Sequence, residues 1–502
     1  MARMGLWSAG QYTGARSDKT SLRAWNPSAG SADADTIGDL SGLRARTRDL
    51  ARNAGIARGA RNTSKVNVVG TGLKLKAELQ REFLGLSDDA AEKWEDEIEV
   101  LFDLWAKSKM CDVTRTQNFY ELQGLAFLST FDNGDVFALR RYKEGTSFLA
   151  LCIQLIEADR VCDPLRPDIT KDIRDGVEID RDGEAIAYHL KNSHPGDGAL
   201  AQPYVPDEWA RIPARGKTGA PLMLHLFDRD RVGLTRGVPL LAPVIEDLKQ
   251  LDRYAEAELM AAVVSSFFTV FIKSEGGQSD IVAAGIPTTE ELPANQVAMG
   301  PGSIVELGSG ESIETANATR PNPNFDPFFL AIVRKIGIAI GIPYEVLIMH
   351  FSSSYSASRA ALEVAWQFFM DRRTWLANNM CDPVYEWFLT ECVARGIVSA
   401  PGFLEDPIKR QAWLGCRWIG PAQISIDPSK EAKADEMYID MGIETVESVT
   451  IKRNGGDWWR NNEQRGREIA QRTKSKADIS PARPAVPPPP KEALTGGSNA
   501  GA

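Results

Sequence analysis

A chain of 502 residues, 43% hydrophobic and 25% charged, has the length of several domains and the composition of a folded protein. Its 58 basic and 68 acidic residues leave a formal charge of −10. That balance excludes general electrostatic adhesion to nucleic acid, because a surface that grips phosphate needs a basic face.

The 6 cysteines form no C-x-x-C pair, so reduced thiols are expected. The 4 histidines are dispersed, and His189 and His194 have no cysteine or acidic partner at ligand spacing, so neither metal nor cofactor is expected. No apolar run reaches the ~20 residues that a bilayer demands, and no apolar stretch follows Arg3 as in a secretory signal.

In chain order, residues 1–35 are rich in Gly, Ser, Ala and Asp without periodicity and read as a flexible arm. Residues 40–69 read as helical and carry Arg44, Arg46, Arg48, Arg52, Arg58 and Arg61. These arginines fit either nucleic-acid contact or a solvated or intersubunit face. The lack of interleaved aromatics favours the face. In 89–109, Trp94, Ile98, Leu101, Phe102 and Trp105 recur at helical spacing and form one buried stripe.

Asn133-Gly134 reads as a hairpin turn between β-prone runs. Strands are expected at 148–156, 176–180 and 185–189, with a turn at Asp182-Gly183, and 195–220 reads as loop. Together 36–235 form an α+β domain.

A long helix follows over 240–266, with Pro239 in its first turn and a stripe of Leu241, Val244, Ile245, Leu248, Leu251, Leu259 and Val263. Its other side carries Glu246, Asp247, Asp252, Glu256 and Glu258. A loop-rich insert with β-like segments at 267–273 and 303–307 separates it from a second helix. Asp326 is the expected N-cap of that helix and Pro327 its first residue. Phe328, Phe329, Ile332, Val333, Ile336 and Ile340 form its stripe.

The second helix ends at Gly341-Ile342-Pro343, before the loop His350, Phe351, Ser352, Ser353, Ser354 and Tyr355. Such a flexible polar tip on rigid supports suits contact with something that moves past it. A helix over 356–395 is interrupted by Pro383 and stops at Gly396. Three shorter helices follow in 428–441, after Thr445, and in 457–472. Beyond 480 the sequence is a proline-rich tail.

No catalytic constellation emerges. Gly216-Lys217-Thr218 lacks the earlier glycine of a phosphate loop, since position 211 is arginine. A Mg-dependent nuclease would need carboxylates such as Asp132 and Asp135, or Asp228 and Asp230, to converge. Turn roles suit those residues better.

The order of parts resembles the lambda-type family of phage portal proteins. The resemblance rests on the arginine-rich segment 44–72 ending NVVGTG, on Gly237-Val238-Pro239, and on Ile342-Pro343-Tyr344-Glu345 with Phe351-Ser352 and Tyr355-Ser356-Ala357-Ser358-Arg359-Ala360. A closing Asp427-Pro428 with Lys430-Glu431 and Ala434 adds to it.

It implies an α+β portal fold with an α/β wing, a two-helix stem, a small β-rich clip, a long kinked helix and a helical crown. The expected parts are a flexible arm 1–35, wing 36–238, stem helices 239–266 and 321–345, and clip 267–320. A tunnel loop 346–356, the long kinked helix with more wing 357–427, the crown 428–475 and a disordered tail 476–502 complete it.

The implied function is a ring, usually of twelve subunits, at a unique capsid vertex of the virion, assembled in the host cytoplasm. It would be a channel for DNA packaging and ejection, not an enzyme. Its implied partners are the terminase large subunit, head-completion and tail adaptor proteins, major capsid and scaffolding proteins, and double-stranded DNA held weakly in transit. No membrane is involved. A ring-shaped capsid adaptor without a DNA channel and a Mg-dependent nuclease are the alternatives.

Overall fold

The computed structural model describes residues 12–15, 19–197, 208–266, 270–274, 311–315, 322–351, 354–423, 427–454 and 456–475. The 303–307 strand, most of the 267–320 insert, Ser352, Ser353 and the tail lie outside them. The chain divides into two compact units, 1–418 and 419–502.

The end of the expected N-terminal arm is folded. Ser31 caps a short helix, Ala32–Thr36, by accepting a hydrogen bond from Ala34 N. Buried Asp33 accepts from Thr235 N at 2.8 Å and pairs with Arg174 at 2.8 Å. Two helices follow where one was expected: α1 (Leu40–Asn53) and α2 (Gly55–Val68), separated by an extended Ala54. Strand β1 (Lys74–Ala77) leads to α3 (Asp88–Lys107), capped by Ser87, which buries Trp94, Ile98, Phe102 and Trp105 as the spacing predicts.

Asn118 and Glu121 form a capping box at the start of α4 (Phe119–Asn133). The helix ends at Gly134, whose φ of 86° suits glycine. Strand β2 (Asp135–Tyr142) begins at once. Asn133-Gly134 is therefore a helix terminus and not the hairpin turn expected from sequence.

Among the described residues of the first unit, the two larger sheets are both antiparallel. In one, β2 lies between β3 (Leu151–Glu157) and β8 (Met223–Phe227), with Val136 opposite Glu157 and Leu226. The other runs in chain order through β4 (Asp172–Arg174), β5 (Val177–Ile179), β6 (Ala185–Lys191) and β7 (Trp209–Pro213). Asp180 Oδ1 accepts from Asp182 N and Glu184 N in the tight β5–β6 turn, where the sequence placed it. Strand β7 occupies part of the stretch read as loop. Gly216-Lys217-Thr218 lies in a tight turn between β7 and β8, with Gly216 N bonded to Ala220 O, and so opens no helix toward a phosphate.

Glu178 on β5 accepts two hydrogen bonds from Arg211, at 2.7 and 3.0 Å, and one from His189 Nε2 at 3.1 Å. The Arg211 bonds outweigh burial, and with His189 they hold the carboxyl at about 2, below its ordinary 4.5. A depressed folded pKa stabilises above the unfolded value, and that stability is lost as pH falls from about 4.5 through about 2. The melting-temperature gap between the wild-type chain and Glu178→Gln is therefore expected to be full at pH 6 and to narrow steadily below about pH 4.5.

After the second sheet come α5 (Ile245–Ser266), β9 (Val270–Ser274), β10 (Glu311–Thr315), α6 (Phe325–Ile340) and α7 (Tyr344–Leu347). Strands β9 and β10 pair antiparallel, Glu311 opposite Ser274 and Thr315 opposite Val270.

The long kinked helix is α8 (Tyr355–Leu376), a π turn over Ala377–Cys381, and α9 (Asp382–Ala394). Asp382 N–H bonds to Ala377 O across the widened turn. Pro383 accounts for it, because a proline ring clashes with the carbonyl four residues back in a continuous α-helix.

Helix α9 buries Tyr385 and Phe388 against Phe102, with centroids 5.9 and 5.0 Å away, while Trp105 and Phe119 complete the aromatic centre of the main core. Glu391 of α9 accepts Ala150 N and Leu151 N, both at 2.9 Å, and so holds the start of β3. Gly396, with φ of 70°, ends the helix as expected. Helix α10 (Pro407–Trp413) and strand β11 (Cys416–Ile419), which pairs with β1, follow.

The second unit contains α11 (Pro428–Asp440), α12 (Val446–Asn454) and α13 (Trp458–Ser475). Asp427 caps α11 by accepting from Lys430 N. Arg453 of α12 pairs with Glu431 and Asp435 of α11.

Candidate functional site

Helices α5 and α6 pack through their proximal halves. Leu248 and Leu251 of α5 are buried, as are Val333, Ile336 and Ile340 of α6. Each such side chain contributes about 1.5–3 kcal/mol when fully removed from water. Tyr254 stacks on Phe325 at 5.4 Å and meets Phe328 edge-on at 5.1 Å. Beyond it Leu259, Met260 and Val263 are exposed, so the predicted stripe is buried along only part of α5. Asn324 is the N-cap of α6, and Asp326 lies in its first turn instead of capping it.

The five α5 carboxylates do not share a face. Asp247 pairs with Lys335 at 2.8 Å and Glu258 accepts from Asn322 at 2.9 Å, so both border α6. At 3.6 residues per turn, Asp252 and Glu256 fall on the opposite flank of the buried Leu248–Leu251 stripe, and exposed Glu246 lies on the side turned away from it. Partial burial raises the pKa of Asp252. Two acids on one flank, two engaged with α6 and one turned outward replace the single acidic face.

Gly341 ends α6 with φ of 75°. Leu347 of α7 is buried, and Arg334 lies over the Tyr344 ring at 4.7 Å, which fixes the base of the following loop. Met349, with φ of 53°, turns the chain outward; it, His350 and Phe351 are exposed. Ser354 is the N-cap of α8, accepting from Ala357 N at 3.4 Å, and Tyr355 is the first helical residue. Of the six residues assigned to the loop from sequence, Ser354 and Tyr355 thus belong to the helix start. Arg373, further along α8, donates to Asn67 O at 2.8 Å and Val68 O at 3.1 Å at the C-terminus of α2. Burial lowers its pKa to about 10. Both supports of the loop are therefore tied to the main core.

A buried ion cluster, invisible in the sequence, sits where the chain turns from the sheets toward α5. The Asp135 carboxylate, fully buried at the start of β2, accepts from Arg236 Nε at 2.6 Å, Arg44 at 3.2 Å and His225 Nε2 at 3.2 Å. Arg236 also donates to Ala158 O and Val161 O, both at 2.8 Å, and pairs with Asp175 at 2.8 Å. Burial pushes the Asp135 pKa up, but Arg236 and Arg44 more than offset it, and the carboxyl stays well below the usual range. Burial lowers the pKa of His225 despite Asp135, and because the ionised Asp135 only accepts, His225 Nε2 donates.

Next to the cluster two backbones touch. A Cβ on Gly134 would lie 2.3 Å from Gly237 O, and one on Gly237 would lie 2.1 Å from Gly134 O. The signal for this contact was present as Gly134 and as Arg236-Gly237, but nothing local links positions so far apart in sequence.

Three of the six arginines in the segment serve this interior, whereas Arg46, Arg52 and Arg58 are exposed, as a solvated face requires. Arg44 is buried on Asp135, Arg48 binds Asp159 and Asn133, and Arg61 holds Asp132 at 2.7 Å. These three side chains make intramolecular ion pairs, which neither sequence reading of the segment anticipated.

Ion pairs occupy three of the four nuclease candidates: Asp132 on Arg61, Asp135 on Arg236 and Arg44, and Asp228 on Arg372. Against the sequence expectation, histidines do acquire acidic neighbours. Glu178 meets His189, and Glu157 and Asp159 approach His194 Nε2 at 3.6 and 3.8 Å. Arg48 already bonds both carboxylates of the second group. His194 Nδ1 accepts from Gly196 N, which leaves the proton of the neutral ring on Nε2, facing the acids. Arg48 hydrogen-bonds Asp159 and pairs with Glu157, while His194 Nε2 lies beyond hydrogen-bond distance of both acids. No described helix is long and apolar enough to cross a membrane.

Comparison with known proteins adds the following. The sequence model described as "Phage portal protein, lambda family" matches residues 18–373. Portal protein B of Escherichia phage lambda is 27% identical over 489 residues, covering 92% of this chain and 90% of that protein. The portal protein of Escherichia phage N15 matches with the same identity and coverage. The "Probable portal protein" of Halomonas phage phiHAP-1 is 28% identical over 450 residues, covering 86% of this chain and 81% of that protein. Among solved structures, a chain from the neck of a native gene transfer agent particle, computed with C12 symmetry, aligns at 12% identity with a TM-score of 0.42. The alignment covers 82% of this chain and 94% of that one.

Proposed function

We propose how this chain works from the premise that it belongs to the lambda family of phage portal proteins: its copies form a ring at one capsid vertex, and the viral genome passes through that ring during packaging and ejection. Residues 36–238 with α8 and α9 are the wing, α5 and α6 the stem, and the β9–β10 segment part of the clip. The loop after α7 is the tunnel loop, and 428–475 is the crown. The clip receives the terminase large subunit during packaging and head-completion or tail proteins afterwards, while major capsid and scaffolding proteins surround the ring. Assembly takes place in the host cytoplasm and the ring remains in the virion.

The observation that carries the DNA-contact role is the exposed tip Met349-His350-Phe351 on two supports anchored in the core. Ser352 and Ser353 add hydroxyls and no charge. Each phosphate neutralised by a fixed cation adds binding energy, so a tip without lysine or arginine lets the duplex slide. The −10 charge of each subunit acts in the same sense. The chain supplies a conduit, and the terminase supplies the work.

Replacing Phe351 and Tyr355 together by alanine is expected to leave rings intact in electron micrographs and to reduce packaged DNA per particle in nuclease-protection assays. Tyr355 opens α8, so the single Phe351→Ala change separates the tip from the helix start. Normal packaging by both variants would remove the loop from the mechanism, and an absence of rings in the unsubstituted protein would remove the portal assignment.

A further inference from the structure

The second unit has almost no interior of its own. Among its described residues Asp435 alone is buried, while Met437, Met441, Ile443, Trp459 and Ile469 are each more than half exposed. Helices of 13, 9 and 18 residues draw their stability from packing an apolar face. In this chain those faces are uncovered.

Two of the uncovered surfaces are complementary. Helices α11 and α12 enclose a groove of about 430 Å³ with Ala432, Ile439 and Val449 in its lining and the acidic Glu436 and Asp440 beside them. Helix α13 is exposed from Trp459 to Lys474 and does not fill that groove. At helical spacing, Trp459, Gly466, Ile469 and Ala470 form an apolar stripe along α13, and Arg465 and Arg472 flank it. Its basic residues, Arg460, Arg465, Arg467, Arg472 and Lys474, outnumber Glu463 and Glu468. An apolar stripe with a basic edge matches an apolar groove with an acidic edge. Double-stranded DNA matches the charge of α13 but offers nothing to cover Trp459 and Ile469.

We propose that α13 of one copy of this chain seats in the α11–α12 groove of the next, Trp459 filling the groove and Arg465 meeting Glu436 and Asp440. The proposal rests on the ring reading, because a surface and its complement on different faces of one chain make a head-to-tail contact that closes only by rotation. The second unit then acquires its core only on assembly. Oppositely charged edges fix which helix meets which groove.

The test uses the full chain with Glu436→Cys and Arg465→Cys, assembled without DNA and checked as rings by native mass measurement before mild oxidation. A ladder of covalently linked multimers in denaturing gels is expected, with none from either single variant. Rings that yield only monomer overturn the proposal, and so does a fast-migrating monomer that marks a bond within one chain. An unsubstituted chain that forms no rings overturns the ring reading itself, and this proposal with it. As a check independent of added thiols, Arg465→Glu is expected to speed tryptic cleavage within the second unit of assembled rings several-fold, and Glu436→Arg in the same chain to restore protection. Unchanged cleavage in Arg465→Glu also overturns the proposal.

Discussion

Replacing Asp135 by asparagine is expected to lower the unfolding free energy by about 3–5 kcal/mol, the usual cost of removing one partner from a buried ion pair. The side chains are nearly isosteric, so the loss measures charge and not volume. Arg236 has no exposed side-chain surface and Arg44 very little. Without the Asp135 charge, both guanidinium groups keep their backbone carbonyl acceptors but share Asp175, which is 23% exposed, as their paired carboxylate.

Urea denaturation at a fixed protomer concentration, where assembly contributes equally to both proteins, gives the difference. A change below about 1 kcal/mol, the level of an exposed pair, would show that water reaches the cluster. The folded pKa of Asp135 lies well below the usual range, so its contribution is full above about pH 4 and is lost only as pH falls through that depressed value.

Gly134→Val is expected to destabilise by about 2–6 kcal/mol, combining the strain of a left-handed residue with overpacking. Three comparisons separate these causes. Gly183 has φ of 84° with nothing within 4 Å of an added Cβ, so Gly183→Ala reports strain alone. Gly237 has no positive φ but its Cβ would fall 2.1 Å from Gly134 O, so Gly237→Ala reports the clash alone. Gly134→Ala carries both and should exceed either, by thermal unfolding at matched concentration. Equal losses for Gly134→Ala and Gly183→Ala would mean that the two backbones part without cost. They would then be no fixed joint between the sheets and the helix pair.

Periodicity located most of the helices, because an apolar stripe is a local property. The stripe on α3 was legible in this way, and the Asp182-Gly183 turn and the stops at Gly341 and Gly396 were legible from local glycine chemistry. Asn133-Gly134 was misplaced because one dipeptide serves two structures: glycine with positive φ closes a hairpin and also ends a helix. The inward-facing Arg44 and Arg48 of α1 were beyond sequence reading for another reason, while the exposed Arg46, Arg52 and Arg58 fit the solvated face. The partner of Arg44 lies 91 residues away and that of Arg48 111 residues away, on elements the fold alone brings together. The α5 acids were grouped by composition, whereas their angular positions on the helix divide them. For the loop, its serines and glycine stop were visible, but a serine that ends a loop and one that caps the next helix look alike until backbone geometry separates them.

The π turn at Ala377–Cys381 also sets an angle. One residue more than an α-helix needs over that span turns everything beyond it by about 100° about the helix axis. Helix α9 is fixed by Phe388 and Glu391 in the core, so the turn acts as a phase setting for α8. It decides which side of α8 meets α2 through Arg373 and therefore the direction in which Tyr355 leaves the helix start. The bearing of the loop that precedes α8 is thus indexed from the far end of its support, some 22 residues away.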